Sequence, residues 1–299
     1  MRKLWLRVND NVFFDLQGDY HINNSVLQVP VVSQLAGMLY MTNISGLGFE
    51  NNRGFEYIGN FNYVPTQNRP AQTVIAGTLN FVPGLTGTTP YEGYTAFINY
   101  IEDAELALLY SPTGGSYNQT AFSLHGTSTY ILEGVITKIT KQELKAGILS
   151  VGFEFRGFMP WFCTSQQNPS ASAQNNSSFS LNQGTSNIGR SFDITLTAKS
   201  AATYVGAVLK NPAGSVIGGF DLSSLSIANG DVIRWCSDPQ RRLLTLNGAD
   251  VTQYTNLALR LYPLLTNSAT LKFGIEATGT AMTGSLGLSA KFKIYRRSV

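Results

Sequence analysis

The chain has 299 residues, only 13% of them charged, and its 21 Lys and Arg against 18 Asp and Glu leave a net charge of +3. A positive charge this weak and scattered excludes a nucleic-acid footprint, and two cysteines are too few for a disulfide framework or a zinc-ligand pattern. The length admits two cores of ordinary size, and 29 glycines with 11% aromatic residues point toward β-structure.

The opening MRKLWLRVNDN has the basic start of a signal peptide, but Arg7, Asn9 and Asp10 stand where its apolar stretch belongs, so no export by that route is expected. Residues 22–49 carry no charge, yet Asn23, Asn24, Gln28, Pro30, Ser33, Gln34 and Asn43 interrupt them too often for a membrane span of about 20 apolar residues. A soluble chain made in the cytoplasm is the expectation. NISGLGFE and FEYIGNFNYV enclose a turn-rich aromatic stretch, and VIAGTLNFV reads as a strand.

The segment TTPYEGYTAFINYIEDAELALLYSP announces a helix. Thr89, with Pro90 at the first helical position and Glu92 three residues on, forms a capping box, and Tyr94, Phe97, Ile98 and Ile101 recur at helical spacing. A helix over 90–103 is predicted, followed by a strand in ELALLYSP that Pro112 and the Gly114-Gly115 turn close. STYILEGVITKITKQ and KAGILSVGFEFRGF then read as a long hairpin.

In its second arm Leu149, Val151, Phe153 and Phe155 alternate with Ser150, Gly152, Glu154 and Arg156, the period of a strand with one buried face. Met159-Pro160-Trp161-Phe162 ends that period, because proline cannot continue a ladder. Trp161 and Phe162 are expected to pack at the base of the first domain. Residues 1–163 therefore read as an α+β domain, mostly antiparallel, with one helix laid across a sheet. Residues 164–189 hold no charge and are expected to connect it to a second domain over 190–299.

That second half is almost entirely β. RSFDITLTAK, TYVGAVLKN, DVIRWCS, RRLLTLNG, LRLYPLL, ATLKFGIEA and LSAKFKIYRR are short runs separated by turn signals, the pattern of a small β-sandwich. Asn247-Gly248 is a type I′ turn candidate and Ser237-Asp238-Pro239-Gln240 a type I turn.

Chemistry is sparse. His21 and His125 stand in turn regions with no nucleophile motif beside them, and Glu102, Asp103 and Glu105 cluster at the end of the helix without a facing carboxylate. No EF-hand loop, phosphate-binding GxxxxGK or GxGxxG after a strand is present, so no catalytic residue, cofactor or metal is expected. Cys163 and Cys236 read as buried free thiols, with a bridge between them as the alternative. Trp235 and Tyr254 are candidates for a sugar-stacking platform, although Trp235 alternates with Ile233 on one strand face, as a core residue would.

In order and spacing, NISGLGFENNRGFEYIGN with RPAQTVIAGTLNF, the hairpin ending in VGFEFRGFMPWF, and GDVIRWCSDPQRRLLTLNGADVTQYTNLALRLYPLLTNSATLKF resemble the distal tail protein (Dit) family of siphophages over nearly the whole chain. One departure is LRLYPLLTNSATL, where Tyr262 and Thr266-Asn267 replace the family's Trp and Pro-Gly before the last hairpin. The resemblance implies a non-enzymatic baseplate hub at the virion tail tip: a homohexameric ring, single or stacked, of N-terminal belt domains with galectin-like sandwiches outside it. It implies contacts with the tail tube protein, a tail-associated (Tal-like) protein and a receptor-binding or adhesin protein. Tyr94, Phe97, Ile101, Pro160, Trp161 and Phe162 are the residues expected to carry the structure and assembly of that belt. Two other functions compete: a galectin-like carbohydrate-binding protein recognising host cell-wall glycan, and a tail-tube subunit, which would need no outer sandwich.

Overall fold

The computed structural model describes residues 3–9, 12–16, 38–47, 51–57, 63–70, 72–84, 87–111, 126–142, 146–169, 171–181, 189–255, 260–265 and 268–295. They form two compact units that divide between Cys163 and Thr164. His21, His125, Pro112, the Gly114-Gly115 turn and Thr266-Asn267 lie outside the described residues.

The first unit comprises β1 (Lys3–Val8), β2 (Val12–Asp15), β3 (Leu39–Ser45), β4 (Asn51–Tyr57), β5 (Tyr63–Pro70), β6 (Val74–Phe81), helix α1 (Pro90–Ile101), β7 (Leu106–Ser111), β8 (Gly126–Lys141) and β9 (Leu149–Gly157). β4 and β5 make an antiparallel hairpin of their own. The other seven strands run in the order β2-β1-β7-β8-β9-β6-β3, each antiparallel to its neighbours. The Met41 amide donates to the Leu16 carbonyl at 2.6 Å, so β3, at one end of this order, comes back to the residue that follows β2 at the other. The sheet thereby curls around a single core, as accumulated strand twist favours.

The alternation in β9 does what its period requires: Leu149, Val151, Phe153 and Phe155 are buried, and Ser150, Gly152, Glu154 and Arg156 face outward. β7 is buried along all six residues, as a continuous apolar run demands when both faces are covered. β8 pairs with β7 through Tyr130–Gly134 and with β9 through Gly134–Lys141, so Gly134 belongs to both ladders. A Cβ at Gly134 would lie 2.1 Å from the Arg156 carbonyl oxygen, and the close crossing therefore needs glycine. Just beyond it a bulge between Ile136 and Lys138 adds Thr137 to β8.

Helix α1 ends at Ile101 rather than at Asp103, because Glu102 is already extended and Asp103 turns the chain at φ +54. Its capping box is formed in full: the Thr89 amide donates to Glu92 at 2.7 Å and the Glu92 amide donates to the Thr89 hydroxyl at 3.3 Å.

The second unit takes in β10 (Phe162–Gln167), which begins just before the division, β11 (Ser178–Leu181), β12 (Arg190–Ala198), β13 (Val205–Lys210), β14 (Val216–Leu222), β15 (Val232–Cys236), β16 (Leu243–Leu246), β17 (Ala249–Asp250), β18 (Ala269–Phe273) and β19 (Leu286–Tyr295). One sheet has the order β17-β16-β15-β12-β19-β10 and the other β11-β18-β13-β14. They share a core in which Trp235 of β15 meets Phe192 of β12 and Phe220 of β14, with ring centroids 4.7 Å and 5.1 Å apart. Asn247 and Gly248 carry φ of +52 and +85, the conformation of a type I′ turn, between β16 and β17. The other predicted turn is shifted by one residue, with the Arg241 amide donating to the Asp238 carbonyl at 2.9 Å around Pro239.

Three expectations differ from this fold. The uncharged tract over 164–189 is not simply a connection: it holds the end of β10, all of β11 and the Ala173–Leu286 bridge. Its Ser, Asn and Gln residues look like linker composition, yet Ser178–Leu181 pair with β18 and Ala173 bridges Leu286, while Phe179 and Leu181 alternate inward. The described residues of LRLYPLL, 260–265, form no strand. The described part of it straps one end of the unit: the Gly219 amide donates to the Arg260 carbonyl at 3.1 Å, the Trp235 indole to the Leu261 carbonyl at 2.7 Å, and Leu265 bridges Arg190. ATLKFGIEA stops as a strand at Phe273, where Gly274 at φ +82 turns the chain into the helical turn Ile275–Thr278. Conversely β14, VIGGFDL, was absent from the expected strands, since its two glycines leave no side chains to show a period.

Candidate assembly surface

In the first unit the residues singled out from the sequence point mostly inward. Phe97 is 1% exposed and packs edge-on against Phe14 of β2 and Phe81 of β6, with centroids 5.3 Å and 5.8 Å away. It therefore ties strands near the two ends of the sheet order to one helix. Tyr94 meets Phe81 at 5.7 Å, and Ile101 packs on the same core from the last turn. Lys141, at the end of β8, lies 4.9 Å above the ring of Tyr91 and 5.7 Å above that of Tyr94, which fastens the start of α1 to the hairpin by cation–π attraction.

Pro160 is half-buried, and Trp161 and Phe162 are buried. Trp161 sits 6.1 Å from Tyr110 of β7, and its indole N–H makes no hydrogen bond among the described residues. Phe97, Trp161 and Phe162 thus lie in the interior of the first unit.

Exposed apolar side chains lie on the outward face of β8 and just past β9. Val135 stands opposite Arg156 in the ladder, and the Phe158 amide donates to the Glu133 carbonyl at 2.9 Å, continuing the pairing past β9. Val135 is 42% exposed and Phe158 54% exposed. Phe158 shares its phase with Ser150, Gly152, Glu154 and Arg156, so an aromatic residue occupies a position where the strand otherwise sets polar or small ones. That mismatch is visible in the sequence and marks a residue the inward-facing candidates missed.

Beside this apolar pair the face is polar and ordered. The Thr137 hydroxyl donates to Glu154 at 2.8 Å, and Arg156 Nε donates to the same carboxylate oxygen at 2.9 Å. The Thr137 hydroxyl first and Arg156 second hold the Glu154 carboxyl below its ordinary range. Further along the same face Ser150 donates to Asn80 at 2.8 Å and Asn80 to Thr42 at 3.0 Å. The surface is a small apolar centre flanked by fixed polar groups.

The second unit gives no aromatic platform at Trp235, which is fully buried with its N–H satisfied by Leu261. Tyr254 is 47% exposed. Cys163 and Cys236 are both buried and not joined in a disulfide, and burial pushes the Cys236 thiol up to about 11. Among the described residues no group of His, Cys, Asp and Glu could hold a metal ion, and no helix is long and apolar enough to cross a membrane.

Residues 31–158 match the family model described as distal tail protein, N-terminal domain. No curated protein matches the chain. Among solved structures, the chain is similar to the Dit (gp 19.1) protein of SPP1, described as a paradigm of the hub adsorption apparatus in Gram-positive infecting phages, at 10% identity and a TM-score of 0.59 over 97% of this chain and 98% of that one. A chain of the phage p2 baseplate in its activated conformation with Sr is 14% identical, with a TM-score of 0.61 over 100% of both chains. The same baseplate with Ca gives the same identity, coverage and score.

Proposed function

We propose, from the match of residues 31–158 to the distal tail protein N-terminal domain, that the chain is the hub of a phage tail tip, in which copies close into a hexameric ring between the tail tube and the host-adhesion apparatus. The family match over 31–158 carries this reading, and a fold shared with the SPP1 and p2 proteins over their whole length is consistent with it. In the ring the first unit is the belt and its β8–β9 outward face, centred on Val135 and Phe158, is a contact between copies. A closed ring of identical subunits needs a heterologous contact, and an exposed apolar pair rimmed by the Thr137–Glu154–Arg156 network is chemically suited to one side of it. The second unit, with its two facing sheets, is the galectin-like outer module on which an adhesin docks. Localisation at the virion tail tip follows from that role.

Trp235 is fully buried and offers no aromatic platform for a galectin-type sugar site in this unit. The decisive measurement for the hub is the solution mass by light scattering. A mass about six or twelve times that of the 32.5 kDa chain supports the ring, and a protein that stays monomeric both alone and with the tail tube protein overturns it.

A further inference from the structure

We infer that Asn229, in the second unit, is a site of spontaneous deamidation in the folded protein, and that Asn247 is protected from the same reaction by Asp231. These are the two asparagines of the chain that precede a glycine, Gly230 and Gly248. With no side chain on the glycine, its backbone nitrogen reaches the preceding side-chain amide most readily. Having lost its proton to solvent, that nitrogen attacks the asparagine Cγ. The new N–Cγ bond displaces the side-chain nitrogen as ammonia and leaves a succinimide, which water opens to aspartate or isoaspartate.

The two pairs meet at one carboxylate but are held differently. Both asparagines are exposed, so access to water does not distinguish them. Asn229 and Gly230 are the central residues of a turn in which the Asp231 amide donates to the Ala228 carbonyl at 3.2 Å, and Gly230 at φ +89 makes it type II. The Asn229 side chain makes no hydrogen bond with any described residue. Asn247, in the type I′ turn between β16 and β17, has both atoms of its side-chain amide engaged. Its Nδ2 donates to Asp231 Oδ1 at 2.8 Å and its Oδ1 accepts from the Val232 amide at 2.8 Å. Asp231 is itself anchored, since its second oxygen accepts from the Ala228 amide at 2.7 Å. Neither turn type holds the glycine nitrogen against Cγ, so each turn has to open before the ring can close. At Asn229 the opening breaks backbone bonds alone, among them that from the Gly230 amide to the Ala198 carbonyl at 2.9 Å. At Asn247 the reacting amide also has to give up its two partners, which makes the open form roughly tenfold rarer.

The test incubates the full folded chain at mildly alkaline pH, well below its melting temperature, alongside a sample unfolded in guanidinium chloride, and follows deamidation by mass spectrometry of tryptic peptides. Trypsin places the two asparagines on separate peptides, 211–234 and 243–260. In guanidinium the two convert at comparable rates, because the reacting dipeptide is the same. In the folded chain Asn229 converts roughly tenfold faster than Asn247. Asp231→Ala, shown by its thermal melt to be folded, raises the Asn247 rate several-fold. Asn247→Asp lowers the melting temperature further than Asn229→Asp, since it sets a second carboxylate against Asp231 where an amide now donates. Equal folded-state rates, a faster Asn247, or an Asn229 that converts only in guanidinium overturns the inference. So does an Asn247 rate that a folded Asp231→Ala leaves unchanged.

Discussion

Trp235 on β15 packs edge-on against Phe220 on β14, 5.1 Å between centroids, and so joins the two sheets of the second unit through one indole. Its N–H donates to the Leu261 carbonyl at 2.7 Å, which holds the strap over 260–265 against the same core. Trp235→Phe keeps the ring and strands that carbonyl, at a cost of about 1–3 kcal/mol. Trp235→Ala also opens a cavity and costs about 3–5 kcal/mol. Denaturant midpoints followed by near-UV circular dichroism should rank the two in that order; a Trp235→Phe midpoint equal to that of the wild type would mean the strap contributes nothing.

Phe97 is the corresponding residue of the first unit. Phe97→Ala removes the ring that meets Phe14 and Phe81, and a loss of about 3–5 kcal/mol is expected. Phe97→Pro breaks the helix as well and should leave the first unit unfolded. Because Phe97 faces inward, ring assembly should fall only as far as folding does. A folded Phe97→Ala protein that no longer assembles would contradict its interior role.

Val135→Lys combined with Phe158→Asp should leave the melting temperature nearly unchanged, since both side chains are largely exposed, and should lower the solution mass. If the mass is that of the wild type, the β8–β9 face is not a contact between copies.

Gly134 and Gly152 lie on adjacent strands of one sheet but differ in what surrounds them. A Cβ at Gly134 meets the Arg156 carbonyl oxygen at 2.1 Å, whereas one at Gly152 meets nothing closer than Thr140 at 3.6 Å. Gly134→Ala should therefore destabilise by roughly 1–3 kcal/mol and Gly152→Ala by little or nothing. Thermal melts of the two variants compare them directly.

The capping box of α1 should be sensitive to acid. The Thr89 amide, and then its hydroxyl, hold the Glu92 carboxyl below its ordinary value. A depressed folded pKa means that the stabilisation is complete above the unfolded value and is lost as pH falls through the folded one. Glu92→Gln should remove that acid-side dependence, and Thr89→Ala should cost about 1 kcal/mol at neutral pH. Melting temperatures from neutral pH down to about pH 3 would show parallel curves if the box were without effect.

Much of this was legible in local sequence. The capping box, the helical spacing of Tyr94, Phe97 and Ile101, the two-residue period of β9 and the Asn247-Gly248 turn all depend on neighbours a few residues away, and each forms as its pattern requires. Phe158 was legible too, as an aromatic out of keeping with its phase. The tract over 164–189 and the LRLYPLL strap were not, because composition reports how a segment meets water and says nothing of which distant backbone offers it hydrogen bonds.

What the sequence by itself determined is which stretches extend, coil or turn, along with the weakly charged, chemically sparse character of the whole chain. The tertiary structure alone decided which side of each element is covered and by what. Phe97 meets Phe14 and Phe81 only because the sheet curls until its two ends approach, and Trp235 is hidden only because a second sheet and a strap close over it. Burial is a property of distant segments brought together, and periodicity along one segment carries no record of the partner that will cover it.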